Sequence, residues 1–402
     1  MRAWVFAALL VLWGCGGLQV NLVDGAQRPP STVAMYLSVD TDEGEPVRGL
    51  EAEDFEIYED GVRRSAGQAL LDPAQAAAHH TLLLLDMTES ERAQHELPLL
   101  AEATRDFLSA LSRPQRVAVY AFDGSTTLHR IAGFSSAPKI ERTLKRIAQF
   151  RTKNPSANPH AAVLEAKRVL AQSLERAKQP LRFGTLVVFV ERAQAGVHAP
   201  LAQGGSASAG DGPSVFAVGA GRGIDDATLS RVGVSGYVHV ANKGALPRAL
   251  RTIGERIADS TNSYYLLSYC SAGRPGPHEV RIRAVDPRTG AKGQLRYAFE
   301  EKNFRPRCNE GVVPRFAKSR GERGTVRGAG GARGLPLPLP SGGTDLHPDV
   351  DPELGAGGAA EPQASPVEEG PPPLDMEALE NELPPGLQPQ PDEEDEEDEE
   401  DD

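Results

Sequence analysis

Asp86, Thr88 and Ser90 are the residues whose types and spacing could do chemistry. They alternate along the chain just past the uncharged run Thr81-Leu82-Leu83-Leu84-Leu85. A carboxylate and two hydroxyls in one tight loop offer hard oxygen ligands, the kind that Mg²⁺ and Mn²⁺ take. The same residue types also gather at strand ends to cap a following helix, so both readings stand. Catalysis is the rival chemistry. The nine histidines are scattered, and the adjacent His79-His80 reads as a solvated loop pair rather than a zinc ligand set. No HExxH, Gly-x-Ser-x-Gly, phosphate-binding glycine loop or Cys-x-x-Cys is present.

The elements that must position this loop follow from periodicity. An apolar run bounded by polar residues suits a strand buried on both faces, as in a parallel sheet. Asp86 then leaves the carboxyl end of that strand, where ligand sites form in open α/β sheets. Helical spacing follows over 91–111, 136–150, 160–178, 225–232 and 244–260. Strands are expected at 116–122, 186–190, 214–219 and 237–240, with a Gly/Ser/Ala loop at 204–212. This alternation predicts an α/β fold with a doubly wound, mostly parallel sheet. Outside it, 33–39, 55–57, 264–269, 278–285 and 294–299 read as strands. Neither flanking group has enough strands to be stable alone, so they are expected to pair into one small β-sandwich with the α/β domain inserted between them.

The 402 residues carry a net charge of −13, but Asp392–Asp402 is an unbroken run of eleven acidic residues, without which about −2 remains. Such a balanced body gives no reason to expect nucleic acid as a partner. Residues 302–333 hold nine Lys/Arg among glycines, and a Leu-Pro repeat and Gly/Ala/Pro-rich sequence follow. A segment so poor in apolar residues cannot offset its ordering entropy, so the tail is expected to be disordered, with a brief amphipathic helix over 376–383. At the other end, Met1-Arg2 and the apolar run 5–13 read as a cleaved signal, too short to span a bilayer as a mature helix. Leu12-Trp13-Gly14-Cys15 resembles a bacterial lipobox, although Trp13 is bulky for that pattern. The resemblance implies lipid on Cys15, and Gly16 after it is similar to lipoproteins sent to the outer membrane. With Cys15 so assigned, Cys270 and Cys308 are expected as a disulfide pair in an oxidising compartment.

Asp42, Gly44, Pro46-Val47, Gly49-Leu50, Asp54-Phe55 and Ile57-Tyr58-Glu59-Asp60-Gly61 form a series that resembles the β-segment preceding the A domain in bacterial von Willebrand factor A proteins. The Asp86-x-Thr88-x-Ser90 spacing, Val215-Phe216-Ala217-Val218-Gly219 and Tyr264-Tyr265-Leu266-Leu267-Ser268-Tyr269 fit the same family. The resemblance implies a divalent-cation adhesion site, Mg²⁺ or Mn²⁺, held by Asp86, Thr88 and Ser90. Ser156 or Asn158 would contribute from a second loop and Glu191 from a third. Glu191 and Arg192 depart from the family's Thr/Ser-Asp-Gly, and a cation beside the site competes with a metal. Two outcomes are therefore open: a partner's acidic residue completes the metal's shell, or the metal is lost and Arg192 pairs within the old pocket. Either way the implied role is a non-enzymatic, lipid-anchored envelope protein that binds another protein, with a metal-free scaffold as the alternative and an envelope hydrolase as the rival. The implied organisation is 1–15 signal peptide and lipobox, 16–31 tether, 32–72 first part of the sandwich, 78–260 A-type domain, 262–310 second part, and 311–402 disordered tail.

Overall fold

The computed structural model describes residues 17–64, 69–88, 94–111, 115–125, 127–152, 154, 159–191, 212–221, 223–308 and 314–316. The signal peptide, Cys15, most of the loop 204–212, the helix expected at 376–383 and the acidic run lie outside them. In chain order, the first strands are β1 (Leu18–Arg28), β2 (Thr32–Thr41), β3 (Phe55–Glu59), β4 (Val62–Arg63) and β5 (Ala69–Leu71). There follow β6 (Ala77–Asp86), α1 (Leu97–Ala110), β7 (Arg116–Phe122), β8 (His129–Ser135), α2 (Ala137–Glu141), α3 (Lys145–Ala148), α4 (Pro159–Glu175) and β9 (Leu181–Val190). The remainder is β10 (Ser214–Ala220), α5 (Asp226–Val232), β11 (Gly236–Val240), α6 (Leu246–Asn262), β12 (Tyr264–Cys270), β13 (Gly276–Val285) and β14 (Lys292–Glu301).

Six strands form the central sheet in the order β11-β10-β9-β6-β7-β8. All neighbours are parallel except the last pair, β7 and β8. Leu82 to Leu85 are wholly buried because helices cover both faces of β6. Leu83 and Leu85 face α1 and α6, while Leu82 and Leu84 face α4 and α5. Burial of four such leucines contributes roughly 2 kcal/mol apiece. Gly254 permits the close packing of α6 on α1, since a Cβ there would meet the Phe107 carbonyl oxygen at 2.9 Å.

The two flanking groups form two four-stranded sheets, β1-β2-β12-β5 and β14-β13-β3-β4. One core unites them: Met35 and Leu37 of β2 and Leu267 of β12 pack with Ile57 of β3 and Ile282 of β13. The other side of β2 carries Ala34 and Tyr36 against Phe183 at the amino end of β9. The central layer thus rests its amino edge on the sandwich and leaves its carboxyl edge facing away from it. Cys270 and Cys308 are disulfide-bonded, tying the end of β12 to the segment after β14.

Several expectations need correction. Residues 16–31 are not a plain tether: β1 pairs with β2 from Leu18 to Arg28. Only Leu18, Val20 and Ala26 are buried along it, so its polar remainder hides the strand signal. Gly25 leaves room there for the Tyr297 ring, which a Cβ would meet at 2.6 Å. The helix expected over 136–150 is two short pieces, α2 and α3, separated where Thr143 Oγ1 donates to the Ile140 carbonyl. β8 has no counterpart in the expected elements. The helix expected from 91 has its described α-helical part from Leu97, after a tight turn at Gln94–Glu96 and with Pro98 in its first turn. Within the expected tail, Phe316 is buried in the core that joins β2 to β9. No helix among the described residues is long and apolar enough to cross a membrane.

Candidate functional site

From β6 the chain builds outward through β7 and β8, then returns to lay β9, β10 and β11 on the other side. The direction of winding reverses between β6 and β9, and such a switch point opens a crevice at the carboxyl ends of the strands. Asp86 ends β6 and Glu191 directly follows β9. The Glu191 backbone N–H donates to Asp86 Oδ2 at 3.3 Å, and Asp86 Oδ1 accepts from the Thr88 amide at 3.1 Å and hydroxyl at 2.7 Å. Asp86 and Thr88 are both buried. The Met87 amide bonds the Phe122 carbonyl at 2.9 Å, which fixes the turn against the end of β7.

Lys243 reaches the same place from the turn after β11. Its Nζ lies 3.4 Å from Glu191 Oε1 and bonds Glu96 Oε2, just ahead of α1. Burial pushes the Glu191 carboxyl up; the Lys243 charge opposes this and the Asp86 charge reinforces it. Burial also works against the Lys243 charge, but the bond to Glu96 and the charge of Glu191 leave its ammonium above the ordinary range. Asp86, Glu96, Glu191 and Lys243 line one small cavity with Met87, Leu97, Leu100, Phe189 and Leu246. The cavity, about 20 Å³, has room for about one water-sized group.

A second polar cluster sits at the end of β7. Asp123 is buried and accepts from the Ser125 amide at 2.8 Å and from Thr152 Oγ1 at 3.0 Å, with His129 Nε2 at 3.0 Å. Asn154 Nδ2 donates to the Gly124 carbonyl at 3.0 Å and the Gly124 amide to the Asn154 carbonyl at 2.8 Å, joining two loops at this edge. An imidazole on a carboxylate is half of a nucleophile-activating arrangement. The Thr152 hydroxyl has two acceptors, Asp123 Oδ2 at 3.0 Å and the Asn154 carbonyl at 3.1 Å.

Of the expected ligands, the fold brings Asp86, Thr88 and Glu191 together. Ser90, Ser156, Asn158 and Arg192 lie outside the described residues. Sequence reasoning looked for the competing cation at Arg192 and overlooked Lys243, Glu96, Asp123, His129 and Thr152. Lys243 was open to a simple signal, a charged residue shortly after the carboxyl end of a parallel strand. For the divalent cation, the fit is poor among the described groups. Glu191 already faces an ammonium.

No family model and no curated protein matches the chain. Among solved structures, it is similar to "von Willebrand factor type A from Catenulispora acidiphila" at 10% identity, with 72% of this chain and 74% of that one covered and a TM-score of 0.37. It is also similar to conserved hypothetical protein BatB from Bacteroides thetaiotaomicron at 16% identity, covering 46% of this chain and 99% of that one with a TM-score of 0.35. A third is proximal thread matrix protein 1 from the mussel byssus "with zinc occupied MIDAS motif", at 12% identity, 50% and 49% coverage and a TM-score of 0.35. This chain spans about half of that mussel protein. No residue role passes to this chain from such distant likenesses.

Glu59, Asp60 and His278 form another group whose ligand atoms lie within 4.8 Å of one another, in the sandwich. Its donors are engaged. Glu59 Oε1 accepts from Ser271 Oγ at 2.5 Å, and Glu59 Oε2 faces Arg64 and the Ala272 amide. Asp60 Oδ1 accepts from the Glu279 amide at 3.0 Å, and its other oxygen takes Arg274. His278 Nδ1 lies 2.8 Å from Glu59, with Nε2 at 2.9 Å from the Arg274 carbonyl. The arginines neutralise these carboxylates, so the group works as an ion cluster pinning the β3–β4 turn beside the disulfide.

Proposed function

We propose that this chain is a non-enzymatic protein-binding module of a bacterial cell envelope, held at the outer membrane by lipid on Cys15. It presents the carboxyl edge of its parallel sheet to a protein partner. The observation that carries this reading is the convergence of Asp86, Glu191, Glu96 and Lys243 at the switch point. Ligand crevices in open α/β sheets form at that place. The opposite edge is covered by the sandwich through Tyr36 and Phe183, which favours the carboxyl edge as the face presented to a partner.

The test is site-specific photo-crosslinking of the full chain in cells. A crosslinker at His95, exposed beside Glu96, is expected to give a discrete protein adduct. One at Lys178, exposed ahead of β9 at the amino edge, is expected to give none. Equal adducts from both positions, or none from His95, would contradict the reading. Cys15→Ala is expected to move the chain out of the membrane fraction; retention there would remove the lipid anchor from the proposal.

A further inference from the structure

The crevice between β6 and β9 holds three carboxylates, Asp86, Glu96 and Glu191, and one described cation, Lys243. We propose that the Lys243 ammonium is the built-in counter-ion of this crevice, standing where a divalent cation would otherwise be held and keeping the binding face metal-free. The inference rests on the reading of this edge as the functional face and names the ion that organises it.

Four observations carry it. The first is reach: Lys243 belongs to the turn after the edge strand β11, yet its side chain crosses the end of β10 to meet Glu191 after β9. The second is rigidity at its base. Asn242 Oδ1 accepts from the Gly244 amide at 2.8 Å and the Asn242 carbonyl from the Ala245 amide at 3.0 Å, in a tight turn that runs straight into α6. The third is pairing, because the ammonium bonds Glu96 and faces Glu191 together, so it joins the start of α1 to the end of β9. The fourth is surroundings. Leu97, Leu100, Phe189 and Leu246 wall the cavity, and low polarity there strengthens ion pairing.

The donor atoms agree with an ammonium rather than with Mg²⁺ or Mn²⁺. Those ions take near-octahedral oxygen shells at short distance. Here Asp86 already accepts from backbone and hydroxyl donors, and Glu191 Oε1 faces Nζ. An ammonium needs only acceptors and adapts to this uneven set, because its three donors turn freely on a flexible stem. A divalent ion would have to enter against a positive charge already in place.

The experiment is Mn²⁺ titration of the chelator-stripped full chain, followed by calorimetry and by the electron paramagnetic resonance of free Mn²⁺. Wild type, Lys243→Met and Lys243→Met/Asp86→Asn are compared. Methionine keeps the length and apolar stem and removes the charge. The acidic run Asp392–Asp402 adds weak sites common to all three, so the difference between the last two isolates the crevice. The expected result is no crevice binding in wild type at millimolar Mn²⁺, and one gained site in Lys243→Met that fills at a concentration at least tenfold lower and is absent in the double variant. A wild-type site that the double variant lacks would overturn the proposal, as would a folded Lys243→Met that binds no more Mn²⁺ than wild type. If the methionine variant fails to fold, Lys243→Gln supplies the same comparison. Failure of this test leaves the His95 crosslink standing, and failure of the crosslink leaves the Mn²⁺ difference standing, so the two readings fall separately.

Discussion

The Glu191 backbone N–H donates to Asp86 Oδ2 at 3.3 Å, joining the carboxyl ends of β9 and β6 where the sheet reverses its winding. The bond makes Asp86 a structural keystone of the crevice as well as part of its lining. A buried carboxylate with three donors on it cannot be removed without leaving those donors unsatisfied. Asp86→Ala is therefore expected to destabilise the α/β layer by about 2–3 kcal/mol, with Asp86→Asn costing less. Urea unfolding followed by circular dichroism measures this, and an unchanged midpoint in the alanine variant would show the bonds to be incidental.

Asp40, at the end of β2, has its carboxyl pushed up to about 6 from an ordinary 3.8, by burial first, with hydrogen bonds from Ser38 and Asn21 and the charge of Arg256 opposing. Between those values the folded state holds more protons than the unfolded one. Stability contributed by Asp40 is thus fully present in acid and declines as pH rises to about 6. Asp40→Asn removes the decline and is expected to stabilise the protein at pH 7 by about 1 kcal/mol, a value discounted for the group's partial solvent access. It should do nothing comparable in acid. Equal effects at both ends of the range would refute the assignment.

His80 acts with the opposite slope. Burial, helped by the Arg116 charge, lowers its imidazole to about 4 from 6.5, and its Nδ1 lies 2.9 Å from Ser173 Oγ. Over that interval the unfolded chain takes up a proton that the folded chain refuses. Stability is therefore lost as pH falls from 6.5 towards 4. His80→Asn is expected to be less stable than wild type at pH 7 yet to show a flatter acid limb. Thermal melts across this range read the slope directly, and a limb as steep as wild type would assign the acid sensitivity elsewhere.

The Cys270–Cys308 bond closes a loop with a sequence separation of 38. In the chain-entropy treatment a loop of that length contributes about 4 kcal/mol. Cys270→Ser/Cys308→Ser is expected to lower the denaturation midpoint of the sandwich accordingly. A shift of a few tenths would mean that Phe304 and the Ser31 contact with Arg307 hold the segment without the bond.

The central layer was legible because its strands are buried on both faces: Leu82–Leu85 and Leu186–Val190 read as strands without help from their neighbours. β1 and β8 were not, because few of their side chains are buried and their polar residues satisfy no alternating pattern. Asp86 and Thr88 declared themselves by local spacing, and Glu191 by its place after a buried strand. Lys243 showed only its place after a parallel strand, because its partners Glu96 and Glu191 are far away in sequence and Glu191 is met across the end of β10. Periodicity fixes which elements exist, while the partners of a long flexible side chain are set only once those elements are stacked.

Anomalous diffraction from crystals of the full chain grown with Mn²⁺ tests the counter-ion role of Lys243 most directly. The expected map has Lys243 Nζ between Glu96 and Glu191 and no anomalous peak within ligand distance of Asp86. A peak bridging Asp86 and Glu191, with Lys243 turned out of the crevice, would contradict it.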